Sequence, residues 1–579
     1  AVPSHPRSIA GSPASGTERP ARGSLMSPWS ATTSQFSLRR SPSPPQTSMV
    51  RIHQRYPLVS LLLLLLCSTA SAQYPPHFRG IGVKFANCAR EGGVLYSHTS
   101  VAGAPDYDAQ RNISLVQGLG IYPMAYFRPG SEEDVQVGVK CATENNMPIC
   151  VRSGGHSWSG ASTCPGLVID MQRLVNQTVN TADGWMEVGA GRSIGQTLYD
   201  LNEQTGRVIP TGTCPSVGLA GFVQGGGLGI LSGIEGLLSD NVLAYTVVTA
   251  DGRILRNISP SYYAGLFWAL RGGGGGHLAL VTSIRVKIHD PTIGELVKNS
   301  NVYFAFRWPR EQMAAAMHAW MEYAEKEDGR TWIRMVAYHG RFGVSVRVSG
   351  ICWGTPYQFE CWKRLEQLSL WSVPGRETLL MHTATHGMIE AQKFIGRDGL
   401  WGTRVPTGPM GTKMALYRRF DNPKSVMDDR SRTSTMWGYS AMDRADTAYF
   451  QGLLEKIALG QVTAGMRSLS LEMSPLGKAV RSGSAGAFAH RAALALVTSY
   501  FNGGETSVRN TVKKSIKDHL APFSMGTYVN YPDATIESYQ EQYWGRNVAI
   551  LSKLKTQWDP ENRLFQRQGI PQASAVLAV

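Results

Sequence analysis

The stretch VRSGGHSWSG, residues Val151–Gly160, decides how this chain is read. It sets one histidine, His156, behind a Gly154-Gly155 turn that follows a short apolar run. Glycine admits positive φ and lets backbone approach a neighbour closely. A second such turn, TGTCPSVG at Thr211–Gly218, carries Cys214, 58 positions after His156. Taken singly, a histidine is most often a hydrogen-bonded core or surface residue, and a cysteine in a secreted chain is most often half of a disulfide. Two reactive side chains, each in its own glycine-lined turn, point instead to one shared ligand.

The glycines set the class of that ligand. Eight fall within the 22 residues Gly212–Gly233, and a second run fills Gly272–Gly276. Consecutive backbone N–H groups in such runs form anion nests suited to a pyrophosphate. Both runs are embedded in apolar sequence, which argues for burial over a flexible surface loop, so a phosphate-bearing cofactor is expected. No G-x-G-x-x-G follows a strand-like run, and a Rossmann nucleotide site is not indicated.

Working outward, the apolar periods predict strands at MPICVRSGG, GLVIDM, WMEVGAG and VLAYTVVTADGRILR, the last turning back at Asp251-Gly252. A helix is expected over Glu132–Asn145, where Val135 and Val139 share a face. AGLFWAL reads as a helix broken by RGGGGG, and LALVTSIRVKI as the strand that follows. After an N-terminal segment, 73–115, residues 116–295 therefore read as one α+β unit. Residues 296–524 read as a second domain, in which helical REQMAAAMHAWMEYAEKE alternates with strands VSVRVSGICW and AALALVTSYF. The tail, 525–579, carries YVNYPD and a helix ending in DPENRLF.

The first 72 residues stand apart from this fold. Residues 1–48 are rich in Ser, Pro and Arg without apolar period and read as a disordered or upstream segment. Residues 49–72 read as a signal peptide, with Arg51 and Arg55 ahead of the apolar run Leu58–Ala70 and a small-x-small site at Ala70-Ser71-Ala72. A run of 13 residues is short for a membrane span, which needs about 20, so a secreted chain without a membrane anchor is expected. Cys67 leaves with the leader, and seven cysteines remain. If Cys214 has another task, Cys88, Cys141, Cys150, Cys164, Cys352 and Cys361 make three disulfides, with Cys352 and Cys361 closing a hairpin. Sequons at Asn112, Asn176 and Asn257 fit a glycoprotein. The formal charge is +15, of which the leader contributes seven Arg against one Glu, leaving about +9 with no dense basic run. A solvated basic surface is expected, and nucleic acid is not an expected partner.

These segments resemble the berberine bridge enzyme-like flavoprotein oxidases, of the broader vanillyl-alcohol oxidase type, over roughly Ile121 to Ile570. The resemblance rests on RSGGH, G-x-C-x-x-V-G, LFWALRGGGGG, GAFAHR at Gly486–Arg491, YVNYPD at Tyr528–Asp533 and YWGRNVAILSKLKTQWDPENRLF at Tyr543–Phe565. It implies an α+β fold: a PCMH-type FAD-binding domain joined to a substrate domain whose β-sheet is flanked by helices. It implies FAD held by two covalent bonds, His156 to the flavin 8α-methyl and Cys214 to flavin C6. The further cofactor contacts it implies are Arg152, Ser153, Gly154, Gly155, Ser157, Gly212, Val217, Gly218, Gly221, Gly225, Gly226, Gly227, Asn241, Gly275, Gly276, Val281 and Asn547.

By the same resemblance the reaction is oxidation of an alcohol, with hydride passing to the flavin. Tyr531 is the expected base, Tyr528 its nearest rival, and Asp443 and Glu472 are possible partners of the phenol. A free phenol titrates near ~10, so the site must favour phenolate. Val217, three after the cysteine, is the residue type that admits dioxygen, and Gly212 leaves further room. Hydrogen peroxide is the expected product. The motifs are nearest those of carbohydrate and glucooligosaccharide oxidases, which implies a sugar or oligosaccharide oxidised at its anomeric hydroxyl by a monomeric enzyme. Trp308, Trp353, Tyr357 and Trp371 are candidates to stack on sugar rings, although most such aromatics are core. Two departures bear on the substrate: His277 stands where the family often has Asn, and Lys478 interrupts a usual Gly-Gly. An oxidase of a secondary metabolite or aromatic alcohol, and a flavin-bearing glycoprotein without turnover, remain open as alternatives.

Overall fold

The computed structural model describes residues 76–111, 120–289, 301–340, 343–353, 358–384, 430–437, 444–458, 466–483 and 486–576. The leader, the Asn112 sequon, Tyr357 and Asp443 lie outside the described residues.

Strands β1 (Thr99–Val101), β2 (Ala125–Phe127), β3 (Ile149–Arg152) and β4 (Leu167–Asp170) form a sheet in the order β1-β2-β4-β3. The pairs β2/β4 and β3/β4 are parallel. Parallel strands require a crossover, and the helix Glu132–Glu144 supplies the one between β2 and β3. Ser131 caps it by accepting from the Asp134 N–H, and three acidic residues in its first turn oppose the positive end of its dipole. Its buried face is Val135, Gly138, Val139, Cys141 and Ala142. Gly138 is required there, because a Cβ would sit 2.5 Å from the Phe127 ring.

A second sheet is antiparallel, built from β5 (Gln177–Asn180), β6 (Trp185–Gly189), β7 (Val242–Val248), β8 (Ile254–Ile258) and β9 (Leu280–Lys287) in the order β5-β6-β9-β7-β8. Asp251-Gly252 makes the β7–β8 turn, with Gly252 at φ 82°. One continuous apolar core joins this sheet to the first.

The third sheet has seven strands: β10 (Asn301–Pro309), β11 (Thr331–Gly340), β12 (Gly343–Trp353), β13 (Glu377–Ala384), β14 (Arg430–Trp437), β15 (Met466–Pro475) and β16 (Ala495–Gly503). Their order is β13-β10-β12-β11-β15-β16-β14, antiparallel throughout. Side chains alternate across a strand, and here the alternation divides labour. Ile333, Met335 and Ala337 of β11 and Leu469, Leu471 and Met473 of β15 enter a core with the helix Met313–Lys326. Their alternate neighbours face the cavity described below. The tail returns to the first sheet, where Ile149 bridges Leu564 in parallel.

Among the described residues three disulfides form, Cys88–Cys141, Cys150–Cys164 and Cys352–Cys361, and Cys214 is the free cysteine. The expected hairpin is corrected: Cys361 lies on the helix Gln358–Glu366, so the third bridge ties the end of β12 to a helix. The aromatic expectation is also corrected. Trp308 and Trp353 are buried core residues and Trp371 packs on Phe306, none of them at the cavity. Among the described residues no helix is long and apolar enough to cross a membrane.

Candidate active site

Two loops meet because neither carries a Cβ at the crossing. A Cβ on Gly154 would lie 2.2 Å from the Gly218 nitrogen, and one on Gly218 would lie 2.2 Å from the Gly154 nitrogen. Ser153 Oγ donates to the Ala190 carbonyl at 2.6 Å, and the Ile194 N–H donates to the Val217 carbonyl at 2.8 Å, fixing each loop to the same scaffold. The crossing brings His156 and Cys214 to one cavity of about 910 Å³. Its opposite wall is the third sheet, through Trp332, Arg334 and Tyr338 of β11, Glu472 of β15, Tyr500 of β16 and Arg432 of β14. The tail closes the remaining side with Tyr528, Asn530 and Tyr531.

The cavity environment shifts its titrating groups. Burial first, and the nearby Arg432 second, hold the His156 imidazole down to about 4, so the ring is neutral at neutral pH. Burial, with Glu472 behind it, pushes the Cys214 thiol up, while Thr213, Arg334 and Arg432 oppose the rise. Burial raises the Tyr531 phenol strongly. Arg432 opposes that rise, with its guanidinium carbon 3.5 Å from the centre of the Tyr531 ring. No hydrogen bond engages Tyr531 Oη among the described residues. Tyr528 differs: its oxygen accepts from the N–H groups of Gly227 and Leu228 at 3.1 and 3.2 Å and from Asn530 Nδ2 at 3.0 Å. Tyr528 thus ties the tail to the glycine loop, and Tyr531 is the member of the pair whose hydroxyl is left for a ligand.

Of the expected cofactor residues, Ser153, Gly154, Gly155, His156, Ser157, Gly212, Cys214, Val217, Gly218, Gly221, Gly275, Gly276 and Val281 line the cavity. Six do not. Arg152 is fully buried in an ion pair with Asp170 at 2.8 Å. Gly225 is pressed against Asn530, where a Cβ would lie 2.0 Å from Oδ1. Gly226 faces Phe488, Gly227 donates to Tyr528, Asn241 binds His289 at 2.8 Å, and Asn547 donates to the Ala487 carbonyl at 3.1 Å. The room expected at Gly212 is taken by the Phe222 ring, 3.1 Å from where a Cβ would stand. The Gly272–Gly276 nest is narrower than expected, because Gly272 and Gly274 donate their N–H groups to the Gln224 carbonyl and Gly273 donates to Ala269. Gly275 and Gly276 are the amides of that run left for a ligand.

His277 lines the cavity but is built into the frame, since its Nδ1 accepts from the Ile570 N–H at 3.3 Å and its carbonyl from Lys555 Nζ at 2.9 Å. Lys478 is exposed on the short helix Lys478–Ser482 and does not line the cavity, so the expectation that it touches cofactor or substrate is corrected. The sheet-wall residues Arg334, Arg347, Arg432, Tyr338 and Tyr500 were not anticipated. Their one signal is alternation within strands that read as ordinary half-buried ones.

Comparison with known proteins supports FAD as the cofactor. The FAD binding domain family matches residues 123–257, and the berberine and berberine-like family matches 527–571. With these matches at its two ends the chain resembles the berberine bridge enzyme-like FAD-linked oxidoreductases. It is 26% identical over 479 residues to an FAD-linked oxidoreductase of Bacillus subtilis, YvdP, across 78% of this chain and 93% of that protein. It is also 26% identical to a glucooligosaccharide oxidase of Sarocladium strictum, across 76% of this chain and 85% of that one. Its fold matches that of a chitooligosaccharide oxidase at a TM-score of 0.70 and 22% identity, covering 84% and 99% of the two chains.

The residues present fit FAD. The glycine wall leaves open space where side chains would stand, since a Cβ on Gly221 would meet nothing within 4 Å. Gln224 Oε1 is buried at the cavity without a hydrogen-bond partner. The volume is of the order that a cofactor and a small ligand share.

Proposed function

We propose that this flavoprotein is a secreted alcohol oxidase that holds FAD through both His156 and Cys214 and converts the anomeric hydroxyl of a sugar or oligosaccharide to a lactone, with dioxygen reduced to hydrogen peroxide. The observation that carries the reading is one cavity lined by the free thiol of Cys214, the neutral imidazole of His156 and the unengaged hydroxyl of Tyr531. The sugar is supported by the relatives that act on oligosaccharides. Export is supported by three disulfides, which persist in oxidising compartments.

When bound, the flavin supplies a two-electron acceptor that dioxygen can reoxidise. The chain does the rest. The Gly154/Gly218 crossing holds His156 and Cys214 at one ligand edge. A neutral imidazole keeps its lone pair for bond formation, and depression of its pKa preserves that state at neutral pH. Tyr531 Oη takes the proton of the reacting hydroxyl, for which it must lie within hydrogen-bond reach of the alcohol. Burial works against phenolate at Tyr531, and the Arg432 guanidinium over the ring works for it. Glu472, on the facing strand, receives the proton next. Val217, at the cavity wall, leaves dioxygen a path.

Acid-precipitated protein is expected to stay yellow, and the His156→Ala/Cys214→Ala double variant to release its FAD. Free FAD in the supernatant of the unmutated protein would refute the double linkage. Peroxide release across a panel of sugars and aromatic alcohols tests the reaction, and peroxide from aromatic alcohols alone would refute the sugar.

A further inference from the structure

Arg432 has a guanidinium for which the alcohol oxidase reading finds only half a use. It sits on β14, 6% exposed, with its face against two rings, Tyr531 at 3.5 Å and Trp158 at 4.9 Å. Its edge is nearly idle. The one hydrogen bond found for it among the described residues is a long contact of 3.4 Å from Nη2 to the Asn530 carbonyl, and Nε is buried without a partner. No carboxylate among the described residues lies within ion-pair distance of it. A buried donor left unmatched is costly, and a buried cation without a counter-ion more so. Such a group is tolerated where a ligand completes it.

The charge of the sheet wall points the same way. Arg334, Arg347 and Arg432 all line the cavity from this sheet, against Glu472 as the carboxylate. Arg334 stands 3.7 Å from Glu472, the carboxylate that lines the cavity among the described residues. These arginines belong to the sheet wall, across from the glycine wall that fits the cofactor. A planar guanidinium whose face is stacked keeps its edge for a fork-like pair with a carboxylate.

Resting on the alcohol oxidase reading, we infer that the substrate is an acid: an alcohol bearing a carboxylate, in the sugar series a uronic acid, whose carboxylate pairs with the edge of Arg432 while its hydroxyl faces Tyr531. Arg432 is then a specificity-determining residue as well as a neighbour of the base.

The test uses the flavin-loaded enzyme and matched pairs, galacturonate against galactose and glucuronate against glucose, followed by oxygen consumption. The acid is expected to exceed its neutral partner in kcat/KM by about tenfold or more, the scale of one charge-assisted pair. Arg432→Gln is expected to erase that ratio through KM for the acid. Neutral sugars oxidised as well as, or better than, the acids would overturn the inference and leave the oxidase reading intact. An equal loss on both members of a pair in Arg432→Gln, with a lower flavin potential, would assign the guanidinium to the cofactor and also overturn it. A binding arm separates the two readings: galacturonate, and not galactose, is expected to perturb the flavin absorbance and Trp fluorescence. Acid binding without peroxide from any alcohol would refute the oxidase and keep the anion site. No selective binding of the acid would refute the site itself.

Discussion

Tyr531 and His277 line the same cavity, one with its hydroxyl unengaged and the other bonded into the frame. Tyr531 is half-buried at the cavity with its hydroxyl unengaged, and Tyr531→Phe is expected to slow anaerobic flavin reduction by about 10²–10⁴-fold. FAD content should be unchanged, because no bond to the frame is lost; a rate near that of the parent would remove Tyr531 from the reaction. Burial, helped by the Lys555 ammonium, pushes the His277 imidazole down to about 3. The folded state therefore prefers the neutral ring, while the unfolded chain takes up its proton near 6.5. The resulting stability is complete above pH 6.5 and is lost as pH falls toward 3. His277→Asn, which cannot titrate, is expected to flatten the acid side of a Tm-against-pH curve. An unchanged acid limb would show that His277 does not carry this dependence.

At the level of elements, one buried carboxylate holds the loop that carries Tyr531 to a helix. Burial alone would raise the Asp533 carboxyl, but Lys513 and Lys517 override it and hold it well below the ordinary range. Both lysines project from the helix Thr506–Leu520, at 3.4 and 2.9 Å from Asp533. The loop is also tied by Tyr543, which accepts from the Asp533 N–H at 3.0 Å, and by Gln568, which donates to the Asp533 carbonyl at 2.9 Å. Asp533→Asn leaves two lysines facing a neutral amide in a buried site. The expected cost is about 3 kcal/mol or more, as for one broken half of a buried pair, measured by denaturant unfolding. A cost under about 1 kcal/mol would mean that water reaches the lysines. The strands of the third sheet illustrate what pattern can convey. VSVRVSGICW was legible as a strand, but alternation alone does not say whether its polar face meets solvent or a cavity.

For the whole molecule, the cavity exists because many separated stretches of chain close around it, and one disulfide braces a loop among them. Cys150–Cys164 spans the loop that carries His156, with a sequence separation of 14. Replacing both cysteines by Ser is expected to cost about 3 kcal/mol and to lower flavin incorporation, read as absorbance per protein. Full incorporation in that variant would show that the Gly154/Gly218 crossing alone positions the loop. Covalent FAD should make Tm independent of added cofactor, whereas the His156→Ala/Cys214→Ala variant should gain about 2.7 kcal/mol at a free concentration of 100 Kd. The sequence by itself determined the glycine wall: the glycine turns, His156, the odd cysteine and most strands are local signals, because turn chemistry and alternation act between near neighbours. Only the tertiary structure decided the other wall. Which of the paired tyrosines is free depends on a contact between Gly227 and Tyr528, 301 positions apart, that arginines of β11, β12 and β14 line the same cavity as Tyr531 depends on how the strands assemble, and no local period encodes which face of a sheet meets a cavity.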